Sequence, residues 1–465
     1  MLVFFICIYL LITILIGWFS SKLVKSSIDY VLAGRKMPVY MVASGLFATW
    51  FGSETILGAS SEFLEGGILG IIEDPFGAAL CLFLIGLFYA KPLYKLNLYT
   101  FSDYFRIRFG KKVEFISVLF MVPSYFGWIA AQLVAMAVIL QSIAAIPFTI
   151  GIVFCGAIVL FYTYLGGMWS ISITDTIQTV LIIVGLAYIA FQLWSAIPDP
   201  NKLISDLPAG FFDFTPKNKT GIDWMIYFGA WITIGLGSIP QQDVFQRVLS
   251  AESEKTAVRG SFISAFMYLT VAIFPLIIVL CGVYLYPEVK TGDLQMMIPK
   301  LILTHSSLFV QVIFFGALLS AIMSTCSAAI LAPSTVIAEN LIKPLFKNEL
   351  SDASLLRIMR YSTVLITVAA IVLSLNQRDI YELVGSSSVL SLVALFVPLT
   401  AGLFLKKANS TGAILSMILG TAVWIICEYF ETEYPANVLG LLASSFGLVL
   451  GYIFPNLIEN SFDKK

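Results

Sequence analysis

The chain has 465 residues, of which 59% are hydrophobic and only 12% charged, and its mean hydropathy is +0.93. A soluble chain carries about 25% charged residues, so a water-facing surface is excluded for most of this one, and it is read as a polytopic membrane protein. The 27 Lys and Arg residues are balanced by 28 Asp and Glu, which leaves no basic face for nucleic acid. The six cysteines (Cys7, Cys81, Cys155, Cys281, Cys326 and Cys427) lie in apolar runs without CxxC spacing, so neither disulfides nor zinc are expected. A lone His305 removes most hydrolase and oxidoreductase chemistry, and no enzyme activity is expected.

A helix needs about 20 mostly apolar residues to cross a bilayer, and the sequence predicts thirteen such spans. They cover 2 to 21, 38 to 63, 68 to 90, 113 to 144, 147 to 165, 173 to 195, 222 to 246, 260 to 286, 306 to 340, 358 to 376, 379 to 404, 409 to 430 and 436 to 456. The first lacks a basic leader and a small-residue cleavage site, so it is read as a span and not a signal peptide. Cytoplasmic loops are enriched in Lys and Arg. With the N-terminus outside, 21 of the 27 basic residues fall on the inner side, among them Arg247, and 6 on the outer. The C-terminus is then cytoplasmic, in a plasma (inner) membrane. Asn218-Lys-Thr on the outer side reads as a glycosylation sequon.

The second span contains Ser44-Gly-Leu-Phe-Ala-Thr-Trp-Phe-Gly-Ser-Glu-Thr55, and the seventh contains Gly235-Leu-Gly-Ser-Ile-Pro-Gln-Gln-Asp243. Pro240 removes a donor, and Gly and Ser hold a helix poorly, so both helices are predicted to break near mid-membrane. Freed backbone at that depth survives only where it lines a cavity or binds an ion. The two spans are five apart, which makes spans 2 to 6 and 7 to 11 two five-helix units of opposite orientation and points to a secondary-transporter site. The alternative is that these small residues serve helix packing.

In the ninth span, Ala321, Ser324 and Thr325 share one helical face that could meet the break in the second. Hydroxyls at such positions also back-bond to their own helix. Asp175 starts the sixth span, either as a functional acid or as a helix N-terminal one. Glu54, at the break, either meets a cationic solute or a proton, or accepts hydrogen bonds from the freed amides. Glu62, Glu65, Glu73 and Asp74 read as a solvated outer vestibule. Trp128, Gln132, Gln241 and Gln242 are candidate solute contacts, although a Trp alone also serves packing.

Tyr162-Thr-Tyr-Leu-Gly-Gly-Met-Trp-Ser170 with Asp175 and Gln178, Phe245-Gln-Arg-Val-Leu-Ser-Ala251 and Ala321-Ile-Met-Ser-Thr325 together resemble the sodium:solute symporter family across nearly the whole chain. The resemblance implies an all-α integral membrane protein of leucine-transporter type, a 5+5 inverted repeat in a single transporter domain over 1–465. The leading helix would be 2–21, the repeats 38–198 and 222–404, and the two trailing helices 409–456. It also implies a sodium site from the carbonyls of Ala48, Phe51 and Ala321 and the hydroxyls of Ser324 and Thr325, with Asp175 linked to sodium release or to a second sodium. Where some members carry a further acid in the ninth span, this chain has Ser327.

Ala48-Thr-Trp50, Gly86-Leu-Phe-Tyr-Ala-Lys-Pro92 and Ile239-Pro240 with Gln242 look closest to the high-affinity choline transporter branch. Ile71 and Gln241 replace two aromatics expected there, removing walls of a quaternary-ammonium cage. Gly237 stands where the sugar branch carries an aromatic gate. The expected solute site is therefore Glu54, Thr55, Trp128, Gln132, Gly237 and Gln241, suited to a small amine, amino acid or similar zwitterion or cation. Span 11, with Gly385-Ser-Ser-Ser388, is the expected outer gate. The function expected is sodium-coupled import by alternating access, with a proton-coupled porter using Glu54 or Asp175, or a non-transporting solute sensor, as alternatives. The sensor ranks below, because the tail after span 13 is too short for a signalling domain.

Overall fold

A computed structural model of the chain describes residues 2–217, 220–290, 293–346, 350–377 and 379–457. The Asn218 sequon lies outside the described residues, as do Lys219, Lys347, Arg378, Lys464 and Lys465 of the charge tally. Among the described residues the elements are helical throughout, and no strand is present. Among the described residues, nine helices are long and apolar enough to cross a membrane. Beside them stand one bent pair, Gly221–Gly237 with Gln242–Ser250, and the shorter apolar helices Val39–Trp50 and Phe148–Phe161. Large apolar side chains such as Phe191, Phe266 and Phe446 are exposed on the outer faces, which suits a hydrocarbon surround and a multi-pass membrane protein.

Both expected breaks are present. The helix Val39–Trp50 ends at Phe51, whose φ of −76° and ψ of 75° leave the helical region, and a new helical stretch begins at Glu54. The pair Gly221–Gly237 and Gln242–Ser250 turns through 48°. Pro240 sits in that gap without an N–H to continue the ladder, and Gln241, at φ −92° and ψ 138°, starts the second half.

Other features escaped the apolar ruler. A short helix Ser27–Leu32 is capped by Ser26, whose side chain accepts from the Asp29 amide. The Tyr30 hydroxyl of this helix donates to the Thr163 carbonyl at 3.0 Å. It lies against Gly167, where φ is +51° and a Cβ would come within 2.4 Å of the Tyr30 ring. The kink that separates the fifth and sixth spans is therefore at Gly167, and the sixth begins earlier than residue 173. A second short helix, Phe101–Phe109, is fixed by a capping box between Thr100 and Asp103 and buries Phe101, Tyr104 and Phe105.

The helix Ile380–Ser391 lies across several others by way of glycines. A Cβ on Gly58 would meet the Tyr381 ring at 3.2 Å, one on Gly127 the Leu383 carbonyl at 2.6 Å, and one on Gly237 the Ser388 carbonyl at 2.4 Å. These close approaches seat the eleventh span over the two broken segments and the helix Phe126–Ala144.

Candidate ion and solute site

The break after Trp50 rewires a few backbone groups, and the site follows from that. In an unbroken helix the Gly52 amide would bond the Ala48 carbonyl, but here it turns back to the Trp50 carbonyl at 2.8 Å. The Ala48 carbonyl is thereby freed, and the Thr325 hydroxyl donates to it at 2.9 Å. Thr325 sits on the helix Leu308–Val336, together with Ala321 and Ser324, all buried. The neighbouring hydroxyls of Ser334 and Thr335 back-bond to Ile330 and Leu331 of their own helix. Those of Ser324 and Thr325 reach across to other helices instead.

Ser324 donates to the Asp175 carboxylate in a short hydrogen bond. The other carboxylate oxygen of Asp175 accepts from Arg247 Nη2 at 3.1 Å, and Arg247 Nη1 donates to the Asp243 carbonyl at 3.2 Å. Asp175 is 0% and Arg247 3% exposed. Asp175 thus stands well inside the helix Gly167–Ser195 and does not cap its start. Arg247, counted in sequence as an inner-loop charge, is instead a buried ion-pair partner. Gly45 makes room for it, since a Cβ there would meet Arg247 Nε at 3.3 Å.

On the other side of the break, Gln132 bridges two groups. Its Oε1 accepts from the Ser53 amide at 3.2 Å, and its Nε2 donates to Glu54 Oε2 at 2.8 Å. The freed amide is therefore satisfied by Gln132, and Glu54 keeps its Oε1 without a partner. The Thr55 hydroxyl lies 2.6 Å from that of Tyr268, which donates to the Trp50 carbonyl at 3.1 Å. Trp128 is one turn before Gln132 on the helix Phe126–Ala144, and its ring centre is 6.4 Å from that of Trp50. Gln241 is buried at the second break with its Oε1 unpartnered.

One residue joins the two halves of the site. A Cβ on Gly52 would come within 2.8 Å of Gln132 Oε1, 3.0 Å of Thr325 Oγ1 and 3.1 Å of Glu54 Oε2. The expected ion residues and the expected solute residues therefore meet around a single glycine. Gln132 and Glu54 are brought together, with Thr55 next to Glu54 in the chain and turned to Tyr268, and Trp128 near Trp50. Ala48 meets Thr325, while Phe51 and Ala321 lie on the same two elements. Gly237 packs on the Ser388 backbone, apart from the Glu54 contacts.

Two participants were missed. Tyr268, in the helix Glu254–Val271, reads in sequence as one more aromatic in an apolar run, and nothing in the local pattern marks it. Asp74, read as part of a solvated vestibule, is 1% exposed; its place before Pro75 in an apolar stretch was the available signal. Glu65 is exposed as expected and lines an open pocket with Leu69, Lys217, Asp223 and Tyr227.

The sequence model of the sodium:solute symporter family matches residues 30–420. The human high affinity choline transporter 1 is 28% identical over 444 residues, covering 89% of this chain and 74% of that protein. A sodium/pantothenate symporter of Haemophilus influenzae is 25% identical over 448 residues, covering 91% and 90%. Among solved structures, a Na+-coupled sialic acid symporter in a substrate-bound outward-open state superposes with a TM-score of 0.84 at 18% identity, covering 97% of each chain. A nucleobase-cation-symport-1 family transporter in a closed conformation gives 0.56 at 16% identity, covering 93% and 95%. These neighbours share the leucine-transporter-type fold.

Proposed function

Since the chain belongs to the sodium:solute symporter family, whose coupling ion is sodium, we propose that it imports a small organic amine, amino acid or similar zwitterion or cation together with sodium, by alternating access. In this reading the chain is a single transporter domain that crosses a plasma (inner) membrane thirteen times, N-terminus outside and C-terminus cytoplasmic. The inverted repeats are residues 38–198 and 222–404, after a leading helix and before two trailing ones.

Sodium is held by the carbonyls of Ala48, Phe51 and Ala321 and the hydroxyls of Ser324 and Thr325. Ser324 donates its hydroxyl hydrogen bond to Asp175, so its lone pairs remain for the ion, and Asp175 with Arg247 tunes release. Solute sits against Glu54, Thr55, Trp128, Gln132 and Gln241. Gly237 acts at the contact with the eleventh span, which gates the outer side. The observation that carries this reading is the meeting of Thr325, Gln132 and Glu54 around Gly52. An ion that fixes Thr325 and the break also fixes the solute residues, which is positive coupling and must be reciprocal. Each sodium entering down 100 mV gains about 2.3 kcal/mol, enough for a roughly fifty-fold solute gradient.

A melting-temperature screen of the purified chain against choline, betaine, proline, other amino acids, pantothenate, sialic acid and sugars, each in sodium and in potassium, tests the proposal. An amine, amino acid or related zwitterion is expected to stabilise the chain in sodium only. Equal stabilisation in both salts would instead favour a sensor or a proton-coupled porter.

A further inference from the structure

At the end of the bundle that the proposed topology makes cytoplasmic, three positive charges gather in one place. The eleventh span finishes in the helix Val397–Phe404, and the connection from there to the helix Ser410–Tyr429 carries Lys406 and Lys407, both exposed. Arg108 holds this connection. Its Nε donates to the Gly402 carbonyl at 2.9 Å, and its Nη2 donates to the carbonyls of Leu405 at 2.9 Å and Lys406 at 3.3 Å. Carbonyls satisfy the guanidinium N–H groups but leave its charge in place. Among the described residues, no carboxylate pairs with Arg108, Lys406 or Lys407. Other basic residues of the same face are paired: Lys91 and Lys95 share Glu254, Arg106 meets Asp103 and Glu114, and Lys343 meets Glu339.

The two lysines line a cavity of about 360 Å³ whose other walls include Leu405, Leu448, Val449 and Tyr452. Its far side is fixed by the packing of the last two helices. A Cβ on Gly451 would come within 2.1 Å of the Gly412 Cα, and Asn409 Nδ2 donates to the Gly451 carbonyl at 2.8 Å. The next residue, Tyr452, has its hydroxyl 3.5 Å from Lys407 Nζ, which stands 5.9 Å from the centre of its ring. Leu405, Val449 and Tyr452 are exposed at the end of membrane helices, where an apolar wall meets acyl chains and a Lys or Tyr tip meets headgroups. We propose that this groove holds an anionic phospholipid, with its phosphate against Lys406 and Lys407 and an acyl chain along Leu448 and Val449. Basic pockets between spans on the cytoplasmic side suit such headgroups. A soluble phosphate would leave the apolar wall uncovered, and a zwitterionic lipid would bring no net charge to the three cations. None of these residues belongs to the proposed ion or solute sites, so the inference does not depend on the solute.

The test is the melting temperature of the purified full chain in a neutral detergent, titrated with short-chain phosphatidylglycerol, short-chain phosphatidylcholine and glycerol 3-phosphate. Each lysine near an anionic headgroup contributes about a factor of five. Phosphatidylglycerol is therefore expected to stabilise the chain at a concentration at least about tenfold below that needed for phosphatidylcholine. Lys406→Gln/Lys407→Gln is expected to remove that preference and, because both lysines are exposed, to melt like the unaltered chain without added lipid. Lys91→Gln/Lys95→Gln, which removes two charges already shared with Glu254, is expected to keep the preference. An equal response to the two lipids, including none, or a preference that survives the loss of Lys406 and Lys407, would overturn the inference. So would equal loss in the Lys91 and Lys95 variant, since the effect would then belong to the charge of the whole face. Stabilisation by glycerol 3-phosphate at the concentration that suffices for phosphatidylglycerol would show a soluble-phosphate site and overturn the lipid assignment.

Discussion

Replacing Ser324 and Thr325 together by alanine is expected to abolish the stabilisation that sodium gives the chain while leaving the chain folded. The two hydroxyls are the side-chain part of the proposed ion site, and both reach across to neighbouring helices, to Asp175 and to the Ala48 carbonyl. Their loss removes two neutral oxygens from a site whose remaining ligands are carbonyls. At a sodium concentration about 100 times the Kd, the unaltered chain gains about 2.7 kcal/mol, and the double variant is expected to gain almost none. Without sodium, the missing hydrogen bonds cost about 1 kcal/mol each, which a membrane protein of this size tolerates. Melting curves in sodium and in potassium separate the two effects. A sodium shift of unchanged size in the double variant would remove these residues from the site.

Arg247→Met is expected to be the most damaging single change described here. It leaves the Asp175 carboxylate, fully buried, with only the Ser324 hydroxyl as partner, and breaking a buried pair from one side costs about 3–5 kcal/mol. The expected result is a large fall in melting temperature and in the yield of folded protein. Arg247 also acts on the buried carboxylate of Asp243, so adding Asp175→Asn to Arg247→Met removes one of two orphaned charges, and the double variant is expected to be more stable than Arg247→Met alone, with a coupling energy of about 1 kcal/mol or more in a double-mutant cycle. A melting temperature for Arg247→Met equal to that of the unaltered chain, or strictly additive effects of the two changes, would show that the pair is not structural.

These two cases also mark what could be read from the sequence. Ser324 and Thr325 were legible because helical spacing places them on one face with Ala321 and because they fall in a motif of the family. The two breaks were legible because Gly52, Ser53, Ser238 and Pro240 weaken or interrupt a helix locally. Arg247 was misplaced, since a tally of loop charges treats every Arg near a span end as solvated. Only the packing of the helix Gln242–Ser250, buried at every residue, puts it next to Asp175. Tyr268 meets Thr55 through helices far apart in sequence, and no period or spacing within one span encodes such a contact. Gly167 illustrates the same limit: its positive φ and its closeness to Tyr30 depend on a short helix too polar and brief for hydropathy to reveal.

The most direct measurement of sodium-coupled import is uptake into proteoliposomes of a radiolabelled form of the solute that stabilises the chain in sodium, under an inward sodium gradient, with an inward proton gradient in potassium as the comparison. Accumulation above equilibrium is expected under the sodium gradient, with a further increase when the interior is made negative and loss in Ser324→Ala/Thr325→Ala. Accumulation driven by the proton gradient without sodium, or binding with no accumulation under either gradient, would contradict the account.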